Sequence, residues 1–237
     1  VEEKKYVIVI RSQDTIKQKA ISMENIENPV SIPSGSIHLE GELLLPDNPK
    51  GVVLFAHGSG SSRMSPRNRF VAEVIREAKI GTLLFDLLTP EEESVDMFTR
   101  QLRFDIGLLT RRLVDATDWL LKKHETHPFT IGYFGSSTGA AAALSAAAHF
   151  GKSISAVISR GGRPDLAESD LLRVTAPTLL IVGGLDDVVI ELNKGAMEWL
   201  KCEKKLAIVP GATHLFEELG TLEQVAQLAA NWFRNHL

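Results

Sequence analysis

Short apolar runs rich in β-branched residues alternate along this chain with longer segments whose apolar positions recur every three to four residues. Six runs carry the first pattern: Gly51-Val-Val-Leu-Phe-Ala-His57, Ile80-Gly-Thr-Leu-Leu-Phe-Asp86, Phe129-Thr-Ile-Gly-Tyr-Phe134, Ile154-Ser-Ala-Val-Ile-Ser159, Thr178-Leu-Leu-Ile-Val-Gly183 and Lys205-Leu-Ala-Ile-Val209. Being apolar throughout, they read as strands buried on both faces of a parallel sheet. Helices are predicted between them, at about 66 to 78, 104 to 124, 138 to 150 and 190 to 201. A last helix begins at Thr221, where Leu222, Val225, Ala226, Ala229, Trp232 and Phe233 share one face, which makes Trp232 a core residue. Such alternation predicts an α/β fold, a sheet with helices on both faces. Two earlier runs, Tyr6-Val-Ile-Val-Ile10 and Ser36 to Pro46, have no helix between them and predict an antiparallel pair at one edge, making a mixed, mostly parallel eight-stranded sheet. Residues 11 to 29 are polar and read as a loop or short helix.

A chain of 237 residues, 44% hydrophobic, can enclose one large core, so residues 1–237 are read as a single domain in which 1–50 supply the edge strands and an N-terminal extension. A net charge of -4 disfavours nucleic acid as a partner, because no polycation is present to release its counterions. The lone Cys202 cannot form an intrachain disulfide, and no apolar stretch reaches the ~18 residues of a membrane span. The first apolar run ends at Arg11, too soon for a signal-peptide core. A cytoplasmic protein without a membrane partner is expected; oligomeric state is not legible.

The third strand runs into Gly135-Ser-Ser137-Thr-Gly139 and then an alanine-rich helix, the setting of a nucleophile elbow. The glycines give a sharp turn room, and the turn pushes the serine hydroxyl into a cleft. A serine needs a base, and the base needs an acid to orient it. Asp186 and Asp187 stand just past Thr178–Gly183, and His214 just past Lys205–Val209, the order and strand ends such chemistry requires. Of the two acids Asp186 is favoured, with Asp187 as a loop or cap residue. Backbone amides would bind the oxyanion: Thr138, directly after the nucleophile, and Ser59 in the loop His57-Gly-Ser-Gly60. His57, ending a buried strand, is expected to brace that loop.

Arg63 and Arg67 follow the oxyanion loop, while Arg160 and Arg163 follow the strand after the elbow, so all four are candidates for recognising an anionic group on a substrate. Pairing with structural acids such as Asp86 or Asp165 is the competing account. Gly58-x-Gly60-x-x-Arg63 with Asp86 imitates a dinucleotide fingerprint, but the third glycine is an arginine and Ser137, Asp186 and His214 would go unexplained. His124 and His127 lack further ligands for a metal, so no metal or other cofactor is expected. Glu91 to Glu93 with Asp96 read as a solvated loop.

With these residues assembled, the chain resembles the α/β-hydrolase superfamily over nearly its whole length, and within it the dienelactone hydrolase-like group. Ser62-Arg-Met-Ser-Pro-Arg-Asn-Arg69, Leu88-Thr-Pro-Glu-Glu-Glu93 and Ser159-Arg-Gly-Gly-Arg-Pro-Asp165 resemble a bacterial branch whose members can occur fused to a phosphoribosyltransferase domain, which these 237 residues are not expected to include. The resemblance implies a compact hydrolase without a large cap domain or cofactor, using Ser137, Asp186 and His214. True dienelactone hydrolases carry cysteine where this elbow carries Ser137, so the dienelactone substrate is not implied. The expected activity is hydrolysis of a small, anionic or neutral carboxylic ester, lactone or thioester. The alternatives are a non-catalytic binding or regulatory protein on the same fold and, more remotely, a dinucleotide-binding enzyme.

Overall fold

The computed structural model describes residues 7–9 as backbone, and 28–123 and 129–237 in full. Its centre is a set of parallel strands: β4 (Gly51–Ala56), β5 (Gly81–Phe85), β6 (Thr130–Ser136), β7 (Ile154–Arg160), β8 (Thr178–Gly183) and β9 (Lys204–Val209). The order across the sheet is β1-β9-β8-β7-β6-β4-β5-β3-β2, where β1 is Val7–Val9, β2 is Pro29–Ser34 and β3 is Ile37–Leu44. The sheet is mixed and mostly parallel, as the pattern predicts; of its nine described strands, β1 and β3 to β9 are the eight read from the sequence, and β2 is an addition.

The edges differ from the sequence reading. Strand β3 runs antiparallel to β5 on one side and to β2 on the other, so β2 and not β1 completes the antiparallel edge. Residues 29–34 end in Ser34 and turn through Gly35 at φ +60°, a left-handed conformation open to glycine, straight into β3. Strand β1 lies at the far edge, parallel to β9. Tight-turn connection favours the local hairpin over a partner some thirty residues away.

Because side chains alternate along a strand, each central strand feeds two cores. Val52, Leu54 and Ala56 belong to the core shared with α3 (Ile106–Lys122), α4 (Thr138–Phe150) and α5 (Asp187–Trp199), whereas Val53 and Phe55 belong to the core shared with α1 (Pro66–Glu77) and α6 (Thr221–His236). Trp232, 8% exposed, is part of the second core as its helical spacing predicts. Helix α2 (Pro90–Thr99) corrects the loop reading of Glu91 to Asp96: Thr89 and Glu92 form a reciprocal capping box, with Pro90 in the first turn. Asp96 is 1% exposed rather than solvated. Residues 86–105, holding α2 and the 3₁₀ turn Leu102–Phe104, cross the carboxyl edge of the sheet without forming a separate cap domain. Among the described residues no helix is long and apolar enough to cross a membrane. His124, His127 and residues 11 to 27 lie outside the described residues.

Candidate active site

Strand β6 ends at Ser136 and α4 begins at Thr138, so the whole reversal falls on Ser137, which adopts φ +50° and ψ -120°. A non-glycine residue there carries strain of about 1–3 kcal/mol and persists only where its surroundings enforce it. They do so on both sides. A Cβ on Gly139 would stand 2.2 Å from the Ala56 carbonyl oxygen, and one on Gly135 would stand 2.4 Å from Ala140 Cα, so both positions exclude side chains. The Ser137 N–H donates to the Arg160 carbonyl at 3.2 Å, and the Ser137 carbonyl accepts from the Arg163 N–H at 3.1 Å.

The exit loops of β8 and β9 are joined through their main chains. Gly184 N–H donates to Val209 O at 2.8 Å and Leu185 N–H to Ala212 O at 2.9 Å. That register sets Asp186 against His214, with Oδ2 and Nδ1 2.6 Å apart. Asp186 stands at the position preceding α5 but does not cap the helix with its side chain, whereas Asp187 is its first residue. An ionised Asp186 accepts from Nδ1–H and leaves Nε2 with a lone pair. The His214 turn also faces the elbow's support: a Cβ on Gly161, the residue after Arg160, would lie 3.1 Å from His214 O and 3.6 Å from its Cε1.

Thr138 opens α4, whose first amides have no partner within the helix. Ser59 approaches from the β4 exit, its Oγ 3.0 Å from Thr138 Oγ1 and 3.2 Å from the Arg103 carbonyl. His57 braces this loop, as expected. Leu87 N–H donates to its Nε2 at 2.9 Å, so Nδ1 carries the proton and donates to Gly58 O at 3.0 Å. Burial pushes the His57 pKa down, outweighing the opposite influence of the Gly58 bond, Asp86 and Glu93. A cleft opens along Ser59, Thr138, Leu87, Glu93, Asp96 and Arg103.

The four candidate arginines do not act as one cluster. Arg63 is held by Asp86 and, at 2.6 Å, by Glu40; Arg163 grips Asp165 through two bonds of 2.9 and 2.7 Å. Arg67 makes a surface pair with Glu217 at 3.0 Å. Arg160 is 6% exposed and has no carboxylate partner in any described pair. Burial first, and then the charge of Arg67, push its pKa down to about 10, so it stays protonated at neutral pH. Asp86 is tied to Arg63 and α1 starts only at Pro66, which removes both the acid and the helix terminus that a dinucleotide would use.

Sequence reasoning missed Arg103 and placed its partner Asp96 on a solvated loop. Arg103 donates to Asp96 from Nε and from its amide, its Nη2 reaches Asp96 O at 3.2 Å, and its Nη1 faces the Gly60 loop. Burial alone would raise the Asp96 pKa, but the Arg103 and Leu102 donors and the guanidinium charge hold it below the usual carboxylate range. The signal was present in Thr89-Pro-Glu-Glu92, a helix start that carries Asp96 inward.

The model of the dienelactone hydrolase family matches residues 73–235. The chain belongs to that family. Another member of known structure, the dienelactone hydrolase from Anabaena variabilis, shares 58% identity with a TM-score of 0.87, covering 89% of this chain and 98% of that one. A protein from each of two Mycobacterium tuberculosis strains, whose names include the words phosphoribosyl transferase, is 56% identical over 211 residues. Those residues are 89% of this chain but 47% of the relatives, so the chain spans about half their length. An alpha-beta serine hydrolase homologue from Coxiella burnetii shares the fold at 18% identity, with a TM-score of 0.72 and coverage of 90% and 99%. The chain thus has the fold of the α/β-hydrolases.

Proposed function

We propose that this hydrolase cleaves a small carboxylic ester, with lactones and thioesters in the same reach, through a serine acyl-enzyme. The observation that carries the reading is the strained elbow at Ser137 together with the β8 and β9 exit loops that hold Asp186 against His214. His214 Nε2 takes the Ser137 proton as Oγ attacks the carbonyl carbon, and Asp186 keeps the ring in the tautomer that makes Nε2 the base. The oxyanion is received by the amides of Thr138 and Ser59, each such donor being worth about 10²- to 10³-fold in rate. His214 returns the proton to the leaving alcohol. It then deprotonates a water that attacks the acyl carbon, releasing the acid and restoring Ser137.

Serine in place of cysteine separates the substrate from the dienelactone that names the family. The reading is tested with Ser137→Ala, expected to abolish both p-nitrophenyl acetate turnover and labelling by a fluorophosphonate probe. Labelling that survives the substitution refutes Ser137 as nucleophile.

A further inference from the structure

We infer that Arg160 is a positioning residue that sets Ser137 and His214 relative to one another, holding the elbow through its own carbonyl and the His214 turn through its guanidinium. The inference rests on the serine-hydrolase reading above and adds to it a residue that touches neither substrate nor reacting atoms.

Four buried residues link the two sides. Ser136, immediately before the nucleophile, donates from Oγ to Asn68 Oδ1 at 3.3 Å. The same oxygen accepts from Arg160 Nη2 at 3.3 Å. The guanidinium carbon lies 5.6 Å from the centre of the Phe216 ring, within reach of a cation–π contact. Phe216 is two residues past His214, and its N–H closes the turn onto Thr213 O at 3.3 Å. Exposures of 4% for Ser136, 3% for Asn68, 6% for Arg160 and 1% for Phe216 make the link a dry one. Its last member needs holding. Phe216 sits at φ +56°, a conformation that a bulky aromatic residue adopts only under outside constraint.

The choice of residue supports the same role. A guanidinium buried without a carboxylate is costly, and here the nearest influence on its charge is a second cation, Arg67, itself paired to Glu217. Its Nε has no hydrogen-bond partner. An apolar side chain would fill the space more cheaply, yet could not hydrogen-bond Asn68 and stack on Phe216 at once. A planar fork does both, which lysine reproduces only in part.

The test compares Arg160→Met and Arg160→Lys with wild type on a neutral p-nitrophenyl ester. Arg160→Met is expected to lower kcat about 10- to 100-fold, the scale set by a ~1 Å misplacement of reacting groups, with KM little changed. The fluorophosphonate labelling rate should fall in step, and Arg160→Lys should recover part of both. Combining Arg160→Met with Phe216→Leu should cost little more than Arg160→Met alone, since both cut the same link. If Arg160→Met fails to fold, Asn68→Ala interrupts the link one step earlier and should show the same fall in kcat. A soluble Arg160→Met, or Asn68→Ala in its place, with wild-type kcat on the neutral ester overturns the inference, as does a loss confined to KM for acidic esters. If wild type itself neither turns over esters nor takes the probe, the serine-hydrolase reading has failed instead.

Discussion

Gly139→Ala is the smallest change that tests whether the oxyanion donors are held by contact between two main chains. The added methyl would stand 2.2 Å from Ala56 O and 2.5 Å from His57 O. Carbon and oxygen approach to about 3.3 Å at closest comfort, so roughly 1 Å has to be found. No side chain can swing aside to supply it, because both obstacles are carbonyls at the end of β4. Either the β4 exit retreats or the start of α4 tips away, and the first carries Ser59 while the second carries Thr138. Their amides are the proposed oxyanion donors, so the movement separates them whichever side yields. A displacement of this size predicts a loss of about 10²-fold in kcat, with KM little altered, and overpacking predicts a loss of about 1–3 kcal/mol in stability. The assay is steady-state hydrolysis of p-nitrophenyl acetate beside urea unfolding. Gly195→Ala is the control, since a Cβ there meets nothing within 4 Å; in helix α5 it should preserve kcat and leave stability equal or improved. A Gly139→Ala enzyme that keeps kcat within about threefold of wild type would refute this account of the donors.

Asp186→Asn should lower kcat by about 10⁴-fold with the fold intact, because an amide no longer enforces the His214 tautomer, while Asp187→Asn should leave kcat near wild type; equal losses in the two would overturn the choice of acid. The His57 prediction concerns pH. Its folded pKa lies below the ordinary value near ~6.5, so the unfolded chain takes up the proton first and stability falls as pH drops below about 6.5 toward the folded pKa, with a slope of at most about 1.4 kcal/mol per pH unit. His57→Gln keeps an acceptor for the Leu87 N–H and should flatten that part of the curve between pH 7 and 5, read from urea midpoints; an unchanged pH dependence would refute the neutral brace.

What could be read from the chain was whatever depends on neighbours close in sequence. The elbow is of that kind at Gly135, where a Cβ would meet Ala140 within the same turn, and so are the positions of Asp186 and His214 at strand ends; Gly139, by contrast, makes room for the distant carbonyls of Ala56 and His57. The alternation of Val52 to Ala56 between two cores follows from pleating alone. Partners distant in sequence were another matter. Nothing local tells Tyr6 to Ile10 which sheet edge to join, and β1 is found beside β9 while residues 29–34 take the hairpin position. The arginines show the same limit: Arg63 and Arg163 meet the very acids named as alternatives, Asp86 and Asp165, but only tertiary placement separates them from Arg160. Helix α2 was legible and was missed, because its three consecutive glutamates draw attention to charge while the capping box of Thr89 and Glu92 marks a helix start.

The charges around the cleft bear on what the proposed serine nucleophile would attack. Arg63 is matched by Asp86 and Glu40, Arg103 by Asp96, and Glu93 adds a further carboxylate to the lining. An acidic substrate group entering there would meet cations already committed and a carboxylate of its own sign, which favours a neutral moiety on the Ser59 side. The apolar surface beside it points the same way, for Phe98 and Phe104 are 86% and 55% exposed on the segment that crosses the sheet edge. Ser137, Asp186 and His214 are spaced by the main-chain bonds of the β7, β8 and β9 exits, whereas this segment is anchored through Asp96 and Arg103. On the proposed mechanism, exchanging residues of α2 therefore alters which substrate is accepted without disturbing the spacing of Ser137, Asp186 and His214, so substrate choice is sought in α2 and its 3₁₀ turn rather than in the elbow.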